Sequence, residues 1–172
     1  MMERVTNGGA EDGNTGWTVS GANTGSSTGS IYEGDRAFRT YASIGGPAGV
    51  YGTVTGFISQ TVDFTNVDEL TFWYRVATYT NVDTAGTPHF RALIGGTAVF
   101  TRTSAQSSWT KVTVDTSGIT GEQTLRFESY AMKIQQQMPG GSTVDAYIDS
   151  ISALAPDSSK KYIDLMGINI AR

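Results

Sequence analysis

The sequence predicts an all-β protein, an antiparallel β-sandwich, on three observations. The composition favours strands and turns, short segments alternate between apolar and polar side chains, and Gly, Asn, Asp and Ser punctuate them at close intervals. With 172 residues the chain has enough length for one domain with a substantial core. Charged residues make up only 16% of it, against roughly 25% in an average globular protein. Thr, Ser and 21 Gly take their place, beside only 4 Pro. Thr fits a pleated surface and Gly adopts the positive φ of tight turns, whereas long helices want neither.

Period-two alternation places strands at 17–20, 31–32, 36–42, 50–55, 57–63, 70–79, 90–94, 98–102, 109–114, 123–131 and 144–153. The Ser/Gly-rich run 21–30 reads as a flexible loop, and 132–141 is too short for a stable helix. After Pro156 the composition changes. A polar linker, Asp157-Ser158-Ser159-Lys160-Lys161, leads into an apolar arm, Tyr162 to Ile170. The expected organisation is a sandwich over 1–155 and a linker with an apolar arm or extra strand over 156–172. An apolar arm is costly to leave in water, so it is expected to pack, against the domain or through self-assembly.

Alternation also assigns faces. Leu70, Phe72, Tyr74 and Val76 face the core, leaving Thr71, Trp73 and Arg75 outside. Leu125 and Phe127 point inward and Arg126, Glu128 and Tyr130 outward; Phe90 and Ala92 point inward and His89 and Arg91 outward. If these strands share one sheet, Trp73, Arg75, His89, Arg91, Arg126, Glu128 and Tyr130 form one patch of aromatic rings and planar hydrogen-bonding groups. Sugars bind such surfaces, their C–H faces against rings and their hydroxyls on Arg and Glu. The same charges also fit a solvated cross-strand ladder, and the sequence leaves both readings open.

Several chemistries lack their residues. A net charge of −4 argues against nucleic acid, which needs a dense Lys/Arg surface. No run approaches the roughly 18 apolar residues of a membrane span. Zero Cys removes disulfides, thiolate metal sites and cysteine nucleophiles, and a single His cannot build a multi-histidine zinc site. Gly25-Ser26-Ser27-Thr28-Gly29 matches the letters of a hydrolase elbow without the strand and helix that motif requires. Glu128 is the one acid in the patch, and its Arg neighbours are expected to hold it ionised, so the carboxylate pair of a glycosidase is missing. No enzyme activity is expected. Met1 to Thr6 has no apolar leader segment.

Asn7-Gly8-Gly9-Ala10-Glu11 followed by Gly16-Trp17 resembles the opening of jelly-roll carbohydrate-binding modules, within the galactose-binding-like superfamily. Those modules often begin Asn-Gly-x-Phe-Glu before a Gly-Trp; here Ala10 stands in place of the Phe. Ile58 to Phe64, Leu70 to Val76 and Tyr147-Ile148-Asp149-Ser150-Ile151 follow the same pattern in the same order, so the resemblance runs from Val5 to Ala155. It implies jelly-roll topology and a glycan or polysaccharide partner, in an extracellular, cell-surface or virion setting. It also implies a structural calcium on Glu11 and Asp149, with carbonyls from the 30–36 loop and with Glu33 and Asp35 as spare candidates. Calcium takes six to eight oxygens, which carboxylates and carbonyls supply. Turn capping by Glu11 and Asp149 is the other reading. The fold itself names no ligand, and a virion decoration, tail or cell-surface filament subunit on the same scaffold is the alternative function.

Overall fold

The computed structural model describes residues 1–46, 51–81, 86–134 and 140–156. The expected arm at 162–170, the linker before it, Val50 and residues 135–139 of the 132–141 segment lie outside the described residues. The described residues form eleven strands: β1 Met2–Glu3, β2 Thr18–Ser20, β3 Gly25–Ser27, β4 Ala37–Ile44, β5 Gly52–Asp63, β6 Glu69–Thr80, β7 His89–Ile94, β8 Thr97–Arg102, β9 Gln106–Asp115, β10 Glu122–Lys133 and β11 Ser142–Ala155. No helix occurs among the described residues. The first sheet runs β3-β4-β11-β6-β9, with β1 beside the end of β11, and the second runs β2-β5-β10-β7-β8. The described pairings are antiparallel, and the two sheets pack face to face as a jelly-roll sandwich.

Three expectations change. Gly25–Ser27 forms a strand paired with Ala37–Arg39, so part of the 21–30 run is ordered on the sheet edge. Residues 31–32 belong to no strand; they cross the outside of the first sheet. Met132 and Lys133 extend β10.

The core follows the alternation. Leu70, Phe72, Tyr74 and Val76 from the first sheet meet Phe90, Ala92, Leu125 and Phe127 from the second, all buried. Phe72 meets Phe127 edge-on at 4.9 Å, and Tyr74 stacks with Phe90 at 5.8 Å. Each such side chain contributes about 1.5–3 kcal/mol through burial, so the reversed register is excluded. A buried polar link also crosses the sandwich: the Thr40 and Ser129 hydroxyls lie 2.8 Å apart.

In β11 the alternation breaks. Val144, Ala146 and Ile148 are buried, and after a bulge at Ser150 (φ 48°) so are Ile151, Ala153 and Ala155. The bulge resets the parity by one residue. Gly8 packs against it, accepting from the Ile151 amide at 3.1 Å, and a side chain at Gly8 would run into the Ile151 carbonyl. Gln60 then ties this N-terminal segment down: its Oε1 accepts from Thr6 N at 2.8 Å, and its Nε2 donates to Thr6 O and Gly16 O.

Candidate functional site

The seven residues expected to share one patch divide between two faces. Trp73 and Arg75 lie on β6 in the first sheet; His89 and Arg91 on β7 and Arg126, Glu128 and Tyr130 on β10 lie in the second. The single patch is therefore corrected to two surfaces on opposite sides of the sandwich. The reason is topological: β6 pairs with β9 and β11, whereas β7 pairs with β10. Alternation assigns a side chain to inside or outside but cannot say which sheet receives the strand.

On the first sheet Trp73 is covered. Tyr32, from the loop before β4, stacks on it at 4.0 Å and meets Trp109 at 5.9 Å. Arg75 donates to the Ser30 hydroxyl of the same loop at 3.0 Å. Both residues thus hold the loop in place and do not form an open platform.

On the second sheet the pairing Glu128↔Arg91 and Tyr130↔His89 sets the remaining five residues side by side, and Phe57 stands opposite Glu128 on β5. The Arg126 guanidinium lies 3.8 Å over the Phe57 ring and reaches the Glu128 carboxylate at 2.7 Å. His89 stacks on Tyr130 at 4.8 Å and is only 6% exposed. Two shallow grooves flank this row. One is lined by Leu93, Gly95, Gln123, Arg126 and Glu128, the other by Thr87, His89, Arg91, Thr101, Tyr130 and Met132.

Glu128 sits below the usual carboxylate range. The His89 imidazole is the largest cause, the Arg126 and Arg91 charges add to it, and burial opposes them. His89 Nε2 is 3.9 Å from Glu128 Oε1, longer than a hydrogen bond. A carboxylate held ionised accepts hydrogen bonds from hydroxyls and does not serve as a general acid. Phe57 was missed by the sequence reading. Its signal was present, since Ile58 and Val62 are buried and the parity puts Phe57, Ser59 and Thr61 outside. Tyr32 carried no such signal, because it acts from a loop.

The two expected calcium ligands, Glu11 and Asp149, lie close together. Asp149 is fully buried; its Oδ2 accepts from Tyr32 N at 3.0 Å and Glu33 N at 3.1 Å, and its Oδ1 from Ser150 N at 2.7 Å. Glu11 accepts from the amides of Asp35 and Arg36 at 3.1 Å. Glu33 instead receives the Ser150 hydroxyl at 3.3 Å, and Asp35 enters through its backbone. Among the described residues no three acidic or histidine side chains gather as a metal-binding group. Glu11 and Asp149 thus stand as a pair apart from the spare candidates, and the loop turns amides toward them where carbonyls were expected. Gly34 (φ +73°) lets the loop turn past Glu11, whose carboxylate occupies the space a side chain would need. Burial pushes the Asp149 carboxyl up, its three backbone donors lower it, and nearby Glu11 raises it further.

No family model and no curated protein sequence matches this chain. Solved structures do. A family 61 carbohydrate-binding module in complex with β-1,4-galactotriose superposes with a TM-score of 0.56 at 13% identity, covering 91% of this chain and all of that one. A carbohydrate-binding module of the β-sandwich superfamily gives 0.52 at 15% identity, over 85% of this chain and 60% of that chain. A family 16 module gives 0.47 at 20% identity, over 87% and 97%. The chain has the jelly-roll β-sandwich fold that carbohydrate-binding modules share.

Proposed function

We propose that this domain is a non-catalytic glycan-binding module whose ligand lies along the outer face of the second sheet. One observation carries the reading. Tyr130, His89, Arg91, Glu128, Arg126 and Phe57 form a continuous row of rings and planar polar groups between two grooves. Within it, Arg91 Nε and Arg126 Nε are shielded from water and lack hydrogen-bond partners. Shielded donors without acceptors are costly, and a ligand rich in hydroxyls supplies what they lack. The likeness in fold to a module solved with β-1,4-galactotriose supports the same reading. We place the work of such a module at an extracellular, cell or virion surface, where polysaccharide is met.

The test is a glycan array probed with the wild type, Tyr130→Ala, Arg126→Ala and Trp73→Ala. Loss of binding in the first two variants, with Trp73→Ala retained, supports the second-sheet site. An array blank for the wild type removes the glycan reading.

Calcium enters this proposal in the narrower form of two carboxylates. Glu11 and Asp149 suit a hard cation in ligand type, and one of them is buried beside a like charge. A bound ion would neutralise that pair and brace the 29–36 loop; it has no part in ligand chemistry on the opposite face.

An assembly subunit is the second reading. Exposed Met1, Met2 and Leu154 cluster with Pro156 at one end of the first sheet, and Met1, Thr71, Leu154 and Pro156 line a mostly apolar groove there. Mass measurement in solution with and without residues 162–172 tests it. A monomer in both cases rejects it.

A further inference from the structure

The groove at the His89 end of the second sheet contains a feature that a platform for neutral sugar leaves unexplained. Among the described residues, its lining carries one guanidinium, Arg91, together with the hydroxyls of Thr87, Thr101, Thr103 and Tyr130, and no carboxylate. Four arginines among the described residues have a buried Nε without a hydrogen-bond partner: Arg4, Arg75, Arg91 and Arg126. Three of them are engaged elsewhere on the same side chain. Arg4 pairs with Asp63 at 3.5 Å, Arg126 with Glu128 at 2.7 Å, and Arg75 donates to Ser30 at 3.0 Å.

Arg91 is different. Its Nη2 lies 3.3 Å from His89 Nδ1, and that same nitrogen lies 2.9 Å from the Thr87 carbonyl. One ring nitrogen cannot both donate a proton to a carbonyl and offer a lone pair to a guanidinium. The shorter contact takes the proton, which leaves Arg91 facing an N–H. Glu128 feels the Arg91 charge, but Arg126 holds its carboxylate. Among the described residues, the groove therefore presents a cation with no ion pair of its own, its cross-strand neighbour Glu128 being held by Arg126, beside the stacked Tyr130–His89 rings.

We propose that the glycan bound on this face is acidic, its anionic group meeting the Arg91 guanidinium while sugar carbons pack on the Tyr130–His89 rings. This rests on the glycan-binding reading above and narrows its ligand class. A uronate carboxylate and a sulfate ester share the required chemistry, since both offer oxygens to the forked donors of a guanidinium.

Calorimetry with polygalacturonate, a sulfated galactan and a neutral galactan tests the inference. At least one anionic polymer is expected to bind about tenfold or more tightly than the neutral one, equivalent to about 1.4 kcal/mol. That margin shrinks with added salt. Arg91→Gln removes it, and Arg91→Lys keeps part of it with an unchanged melting curve, which separates lost charge from lost folding. The anionic polymer that shows the margin tells carboxylate from sulfate. Equal binding of the neutral polymer, unaffected by Arg91→Gln, overturns the acidic-ligand inference and leaves the glycan reading standing. Blank results on these polymers and on the array overturn both.

Discussion

Arg39 on β4 grips Asp145 on β11 through two parallel hydrogen bonds, Nε to Oδ1 at 2.8 Å and Nη2 to Oδ2 at 2.9 Å. The guanidinium lies over Tyr41 at 4.8 Å and Tyr147 at 5.7 Å, and the bond to Asp145 raises the Arg39 pKa further above its ordinary value. Both side chains are mostly shielded. Asp145→Asn keeps the shape and loses the charge-assisted pair, so it is expected to destabilise the domain by about 1–3 kcal/mol. Urea unfolding should show a lower midpoint with an unchanged slope. An unchanged midpoint would mean the pair contributes nothing.

A second prediction concerns the face of the proposed site. Tyr130→Ala should weaken glycan binding by about tenfold or more, as expected for an aromatic anchor. Trp73→Ala should leave affinity alone, because Tyr32 already covers that ring. The reverse result would move the site to the first sheet.

Stability in acid should report on Glu128. Its folded pKa is lowered, so its contribution is fully present above the unfolded carboxyl value of about 4.3. It is lost as pH falls through the folded value. Glu128→Gln should flatten this limb of the stability curve below about pH 4. A limb as steep in the variant as in the wild type would assign it to other carboxyls.

Calcium should raise the melting temperature over that of chelated protein, and Asp149→Asn should abolish the increment. Equal melting temperatures for the wild type in calcium and in chelator would reduce Glu11 and Asp149 to clamps on the 29–36 loop.

Gly8→Ala tests the contact with the bulge. The added carbon meets the Ile151 carbonyl, a backbone atom with little room to move. A loss of about 1–3 kcal/mol is expected, as for overpacking elsewhere. Full stability would show that the N-terminal segment can shift.

The sequence made the fold legible where period-two alternation was strong. Phe72, Phe90 and Phe127 are buried as that pattern required, because one misplaced register would expose every core ring on a strand. The break in β11 was also readable in principle: Ile148 and Ile151 are three apart, which a regular strand cannot bury on one face. The patch was only half legible. Outward parity was right for Arg126, Glu128 and Tyr130, but the sheet that receives β6 is decided by long-range pairing with β9 and β11. The same limit hid Tyr32, whose position depends on Asp149 accepting amides from a loop more than a hundred residues away in the chain.

The place of β11 has a consequence for how the domain comes into being. It is the last described strand, yet it lies between β4 and β6 in the middle of its sheet. During synthesis those two neighbours emerge early and must wait, their hydrogen-bonding edges open, until residue 155 has left the ribosome. Everything through residue 155 is thus needed before the first sheet can close. Such distant pairing makes for slow maturation, and an unfinished chain would present exposed β-edges to its neighbours.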